Sequence, residues 1–129
     1  MAKVGTDYPT ALVVDDFPES RQILRRMLEL RHFRVVEAEG GEEAVEAARR
    51  ERPRLILMDL NMPGVCGLEA ARRIRGLKEC EGMVLVAFTA FNTPSVRDEA
   101  IQAGFDDFLI KPFGFEELDG VLRRHPPAR

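Results

Sequence analysis

Two stretches of this 129-residue chain, Leu55 to Met58 and Met83 to Phe88, are apolar at every position rather than at alternate ones. A strand with one wet face alternates between apolar and polar residues. Unbroken runs of this length describe strands covered on both faces, as at the centre of a parallel sheet. Ala11 to Val14 and Phe108 to Ile110 are two further short apolar runs. Phe33 to Ala38 carries Arg34 and Glu37, so it belongs at an edge. Between these runs the apolar residues recur at helical spacing. Ile23, Leu24, Met27, Leu28 and Leu30 stripe Ser20 to Leu30, and Ala44, Val45 and Ala48 stripe Gly41 to Arg50. Leu68, Ala71, Ile74 and Leu77 stripe a third helix. A fourth opens at Pro94, carries Val96, Ala100 and Ala103, and stops at Gly104, residues suited to those ends. Phe115, Leu118 and Leu122 stripe a fifth, which Pro126 and Pro127 end. All of these stripes read as core.

Strand and helix thus alternate five times, which predicts an α/β fold with helices on both faces of a parallel sheet. Right-handed crossovers leave few arrangements, and the expected one is a flavodoxin-like, doubly wound, five-stranded sheet of order 2-1-3-4-5 with five helices. The length fits a single domain, expected over residues 11–124, with an extension at 1–10 and a tail or linker stub at 125–129. A chain of this size buries roughly two-thirds of its unfolded surface, so it needs no disulfide or structural metal. Cys66 and Cys80 are far apart, match no metal-ligand spacing and read as reduced thiols. A net charge of −3 argues against direct binding to a nucleic-acid backbone. No leader and no membrane-length apolar run is visible, so the chain is expected to be soluble and cytoplasmic.

In such a sheet ligands bind outside the carboxyl ends of the strands. The first strand runs out into Asp15 and Asp16, the third into Asp59, the fourth into Thr89 and the fifth into Lys111. Like charges about 4 Å apart repel by roughly 4 kcal/mol at an effective dielectric of 20. Lys111 alone does not balance three carboxylates, whereas a divalent cation does. Magnesium prefers oxygen ligands, takes one or two protein carboxylates and leaves its other positions to water and phosphate oxygens. A lone Asp at a strand end is usually a helix cap or a turn residue. The convergence of all these groups on one edge argues for chemistry instead.

The sequences Val14-Asp15-Asp16, Met58-Asp59-Leu60-Asn61-Met62-Pro63-Gly64, Phe88-Thr89-Ala90 and Lys111-Pro112-Phe113, in this order, resemble the receiver-domain family of two-component signalling. The resemblance covers residues 11 to 124 and implies a regulatory phosphoacceptor domain rather than an enzyme. It implies that Asp59 accepts a phosphoryl group from a histidine kinase or a histidine phosphotransfer protein. Asp16, Asp59 and the backbone carbonyl of Asn61 would contact magnesium directly, and Asp15 would act through water. Lys111 would pair with Asp59 and then with a phosphoryl oxygen, Thr89 would bring its hydroxyl to another, and Phe108 would turn inward as Thr89 moves. The surface that changes would be the fourth helix, fifth strand and fifth helix. Such domains act on a downstream output domain or protein, and a phosphorylation-dependent dimer is among the states the resemblance allows.

Other features refine this expectation. Phe108 lacks the hydroxyl of a tyrosine, and Phe91 stands two residues after Thr89, where it would shield the phosphoryl group from water. Arg21, Arg25, Arg26 and Arg31 form a candidate rim for docking the donor, the alternative being a solvated helix face. The chain ends just after the last helix, so no output domain is expected within it. A pseudo-receiver that keeps the fold without being phosphorylated is the alternative from a different class. A flavin carrier would want a glycine- and hydroxyl-rich loop where Asp15-Asp16-Phe17-Pro18 stands, and a haloacid-dehalogenase-like phosphatase would want an Asp at Phe17.

Overall fold

A computed structural model describes residues 8–91 and 93–126. The first seven residues of the expected extension and the last three of the expected tail, Pro127 among them, lie outside the described residues. The elements are β1 (Thr10–Val14), α1 (Pro18–Glu29), β2 (Arg34–Ala38), α2 (Gly41–Glu51), β3 (Leu55–Asp59), α3 (Gly67–Arg75), β4 (Val84–Thr89), α4 (Pro94–Ala103), β5 (Asp107–Ile110) and α5 (Phe115–Arg124). A short 3-10 turn at Lys78–Cys80 links α3 to β4. The strands form one parallel sheet in the order β2-β1-β3-β4-β5, as the sequence predicts.

Every residue of β3 is buried, as the unbroken apolar run requires. Successive side chains point to opposite faces of a strand, so the sheet divides the core in two. Leu12, Val14, Ile56, Met58, Leu85 and Ala87 pack under α2, α3 and α4. Ala11, Val13, Leu55, Leu57, Val86 and Phe88 pack under α1 and α5. The polar strand β2 is an edge, as expected.

The predicted stripe of α1 is too broad. Leu24, Met27 and Leu28 are buried, but Ile23 and Leu30 remain 62% and 57% exposed. At 100° per residue a helix lying flat on a sheet buries a narrow stripe, and these two fall outside it. Conversely Ala47 in α2, Ala70 in α3 and Val121 in α5 are buried though not assigned to their stripes. Leu77 lies beyond the end of α3 and packs against the core from the loop.

Helix ends follow local chemistry. Pro18 and Pro94 stand in the first turns of α1 and α4, and the Thr93 hydroxyl accepts the Val96 N–H at 3.3 Å. Gly104 closes α4 at φ 111°, a conformation that disfavours any residue with a Cβ. At α5 the Glu117 carboxylate reaches back to the Gly114 N–H at 2.8 Å.

Candidate functional site

Parallel strands put all their carboxyl ends on one edge, and the register decides which groups meet there. Val14 pairs with Met58, so the residues that follow, Asp15 and Asp59, emerge side by side. Asp59 lies opposite Phe88, one residue before Thr89, and Thr89 lies opposite Ile110, one residue before Lys111. The Lys111 N–H donates to the Thr89 carbonyl at 2.8 Å and holds that corner closed. Carboxylate oxygens of Asp15, Asp16 and Asp59 lie within 4.8 Å of one another, a grouping able to hold a metal ion.

Asp15 is clamped on three sides. Its N–H donates to the Ala38 carbonyl at 3.2 Å, its Oδ1 accepts the Phe17 N–H at 3.0 Å, and its carbonyl accepts Arg21 Nη1 at 2.9 Å. Its Oδ2 is buried without a hydrogen-bond partner among the described residues. Asp59 is 5% exposed; its Oδ1 accepts the Asn61 N–H at 2.9 Å and its Oδ2 accepts Lys111 Nζ at 3.1 Å. Burial pushes the Asp59 carboxyl above its ordinary range. The Asn61 N–H and Lys111 pull it back only in part, and the neighbouring Asp15 charge adds to the rise.

The donor set fits a hard divalent cation. Three carboxylates crowd one spot, one lysine is beside them, and a buried carboxylate oxygen has no donor among the described residues. An unpartnered buried carboxylate oxygen is costly, and a cation relieves that cost together with the repulsion among the three acids. Magnesium accepts this kind of oxygen set.

Thr89 is buried, and its Oγ1 accepts the Phe91 N–H at 3.1 Å and Asn61 Nδ2 at 3.3 Å. The Lys111 ammonium also sits 4.9 Å from the centre of the Phe88 ring, which in turn meets Phe113 edge-on. Phe108, on β5 opposite Ala87, is half-buried, with the Arg97 guanidinium 4.9 Å from its ring centre. Phe91 is 58% exposed beside this edge.

Two participants were not foreseen. The side chain of Asn61, expected to act through its backbone carbonyl, also bridges to Thr89. Arg21, expected on an outer docking rim, has a side chain only 12% exposed and is used internally by Glu37 and the Asp15 carbonyl. The opposite charges of Arg21 and Glu37, on elements that the fold makes neighbours, were the available signal. The rest of that rim is also partly engaged. Arg31 grips Asp119 with two bonds and lies over the Phe115 ring, and Arg25 pairs with Glu29 and Glu37. Arg26 is exposed.

The chain belongs to the response regulator receiver domain family, whose model matches residues 11–123. It is 38% identical over 118 residues to the transcriptional regulatory protein ResD of Bacillus subtilis, covering 92% of this chain and 47% of that one. It is 37% identical over 114 residues to an uncharacterized 14.6 kDa protein of Leptolyngbya boryana, covering 88% of this chain and 87% of that one. The chain therefore spans about half the length of ResD and nearly all of the Leptolyngbya protein. Among solved structures it matches the receiver domain of the sensor histidine kinase PA1611 of Pseudomonas aeruginosa, with TM-score 0.84 and 34% identity, covering 92% of this chain and 97% of that one. That domain was crystallised with a magnesium ion coordinated in its active-site cleft. The chemotaxis protein CheY4 of Vibrio cholerae matches with TM-score 0.86 and 29% identity, covering 92% of this chain and 98% of that one. The chain is thus a receiver domain of the two-component response-regulator type, a regulatory family rather than a catalytic one. Among the described residues no helix is long and apolar enough to cross a membrane.

Proposed function

We propose that this domain is a cytoplasmic signalling switch that takes a phosphoryl group onto Asp59 from a histidine kinase or a histidine phosphotransfer protein. The observation that carries the reading is the cluster itself: Asp59 meets Asp15 and Asp16 within 4.8 Å and Lys111 at 3.1 Å. A carboxylate oxygen of Asp59 attacks phosphorus in line. The phosphorus–nitrogen bond to the donor imidazole breaks, and the imidazole leaves with the bonding pair. Catalysis of such a loose transfer is mainly alignment and charge neutralisation. Asp16, Asp59 and the Asn61 carbonyl would hold magnesium directly and Asp15 through water, and the ion when bound neutralises phosphoryl oxygens.

Lys111 then exchanges its contact with Asp59 for a phosphoryl oxygen. The Thr89 hydroxyl, whose oxygen accepts from Phe91 and Asn61, still has its own proton to donate, and turns it toward another phosphoryl oxygen. That movement vacates space for Phe108 and alters the α4–β5–α5 surface read by an output domain or protein. The domain assists only its own phosphorylation and dephosphorylation. Incubation with acetyl phosphate and magnesium should add one phosphoryl mass, and Asp59→Asn should abolish the addition. A parent that binds no magnesium and gains no mass would instead make the domain a pseudo-receiver. Label retained by Asp59→Asn would move the acceptor elsewhere.

A further inference from the structure

We infer that Arg21 is a positioning residue for the acid cluster, setting the peptide group between Asp15 and Asp16 so that their carboxylates meet a divalent cation; this rests on reading the cluster as a magnesium site. The Asp15 carbonyl and the Asp16 N–H belong to one planar unit, so whatever holds that carbonyl fixes where Asp16 leaves the chain. Arg21 Nη1 donates to this carbonyl at 2.9 Å. The Arg21 backbone N–H donates to the Phe17 carbonyl at 3.0 Å, closing the first turn of α1. One residue therefore pins the Asp15–Phe17 loop at two points. Its guanidinium is itself aimed from outside: Nε donates to Glu37 Oε1 at 2.8 Å, and Glu37 in turn is gripped by Arg25. Arg21 and Arg25 together hold the Glu37 carboxyl below its ordinary range, so Glu37 stays ionised. The side chain of Arg21 is 12% exposed, which marks it as an internal strut.

The guanidinium is a cation near a proposed cation site, and this makes the test sharp. If Arg21 acts only through its field, removing its charge tightens magnesium binding. If it acts by position, removing it weakens binding, because Asp16 is no longer held. Outer groups that orient metal ligands typically alter affinity by about 10- to 100-fold. The whole chain, stripped of metal, is titrated with magnesium chloride by calorimetry as parent, Arg21→Ala and Arg21→Gln. Arg21→Ala should bind about tenfold more weakly or worse. Arg21→Gln, uncharged like alanine but with an amide donor in place of the guanidinium, should recover part of the loss. The nitrogen shift of the Asp16 amide should move in Arg21→Ala, while those of β3 stay in place and report an intact fold. Equal or tighter binding by Arg21→Ala overturns the inference, and should that variant not fold, the same result from Arg21→Gln does so. Absence of magnesium binding by the parent would instead overturn the metal-site reading on which it rests.

Discussion

Asp15 and Asp59 are both buried carboxyls, yet their surroundings differ in kind. Asp15 spends one oxygen on the Phe17 N–H and its other has no donor among the described residues, whereas both oxygens of Asp59 have donors. Even so, burial dominates at Asp59 and raises its carboxyl above the ordinary value of 3.8. A carboxyl raised on folding favours the folded state when protonated. That stabilisation is fully present below pH 3.8 and disappears as pH rises through the folded-state value. Asp59→Asn removes the charge that folding disfavours. Without magnesium at neutral pH it should melt several degrees above the parent, and the two midpoints should converge as pH falls toward 3.8. Thermal melts monitored by circular dichroism across this range check it. A constant gap at every pH would mean that the substitution acts by packing rather than by charge.

Between elements, the closest fit at the site is the joint of β3 and α3. A Cβ on Gly67 would stand 2.5 Å from the Asp59 carbonyl oxygen and 2.9 Å from Leu60 Cα. Both are backbone atoms of the segment that carries the proposed phosphoacceptor, so nothing flexible can yield. Gly67→Ala should cost about 1–3 kcal/mol in urea unfolding, the usual range for overpacking, and should slow phosphorylation by acetyl phosphate because Asp59 shifts. Unchanged unfolding would show that α3 slides away freely. Elements and their order were legible because each apolar run or stripe states its own period, and those periods survive in the fold. What escaped was the one-residue phase of each helix. Ile23 and Leu30 look like core by type, but the direction in which α1 faces the sheet is set by tertiary packing. The strand ends were legible for the same reason the runs were: a carboxylate directly after four buried apolar residues stands where the strand leaves the sheet. The internal use of Arg21 was not, since an arginine on a helix ordinarily reads as solvated surface.

Across the whole molecule, the proposed switch joins a rigid centre to an edge. Thr89 ends β4 and Phe108 lies on β5, one of the two edge strands, while Asp59 ends the fully buried β3. A phosphoryl group shifts the balance between two packings only by the extra contacts it makes in one of them. One hydrogen bond to a charged acceptor contributes roughly 1.5–3 kcal/mol, enough to change the ratio of states by about ten- to a hundredfold. Thr89→Ala should therefore still accept phosphate on Asp59 but fail to pass the event to α4 and β5. Amide shifts over residues 93–115, with and without beryllofluoride, test this. Parent-like changes in Thr89→Ala would route the coupling through Lys111. The parallel order of the strands has one more effect. Asp15 and Lys111 are separated by almost the whole domain in sequence, and they come to the same end of the sheet only when the fifth strand has docked on the fourth. A chain emerging during synthesis exposes all three acids well before it exposes the lysine that partly balances them. On the proposed reading, a copy that stops short of β5 carries the acids without the lysine that the transfer uses, and stays silent until that strand is in place.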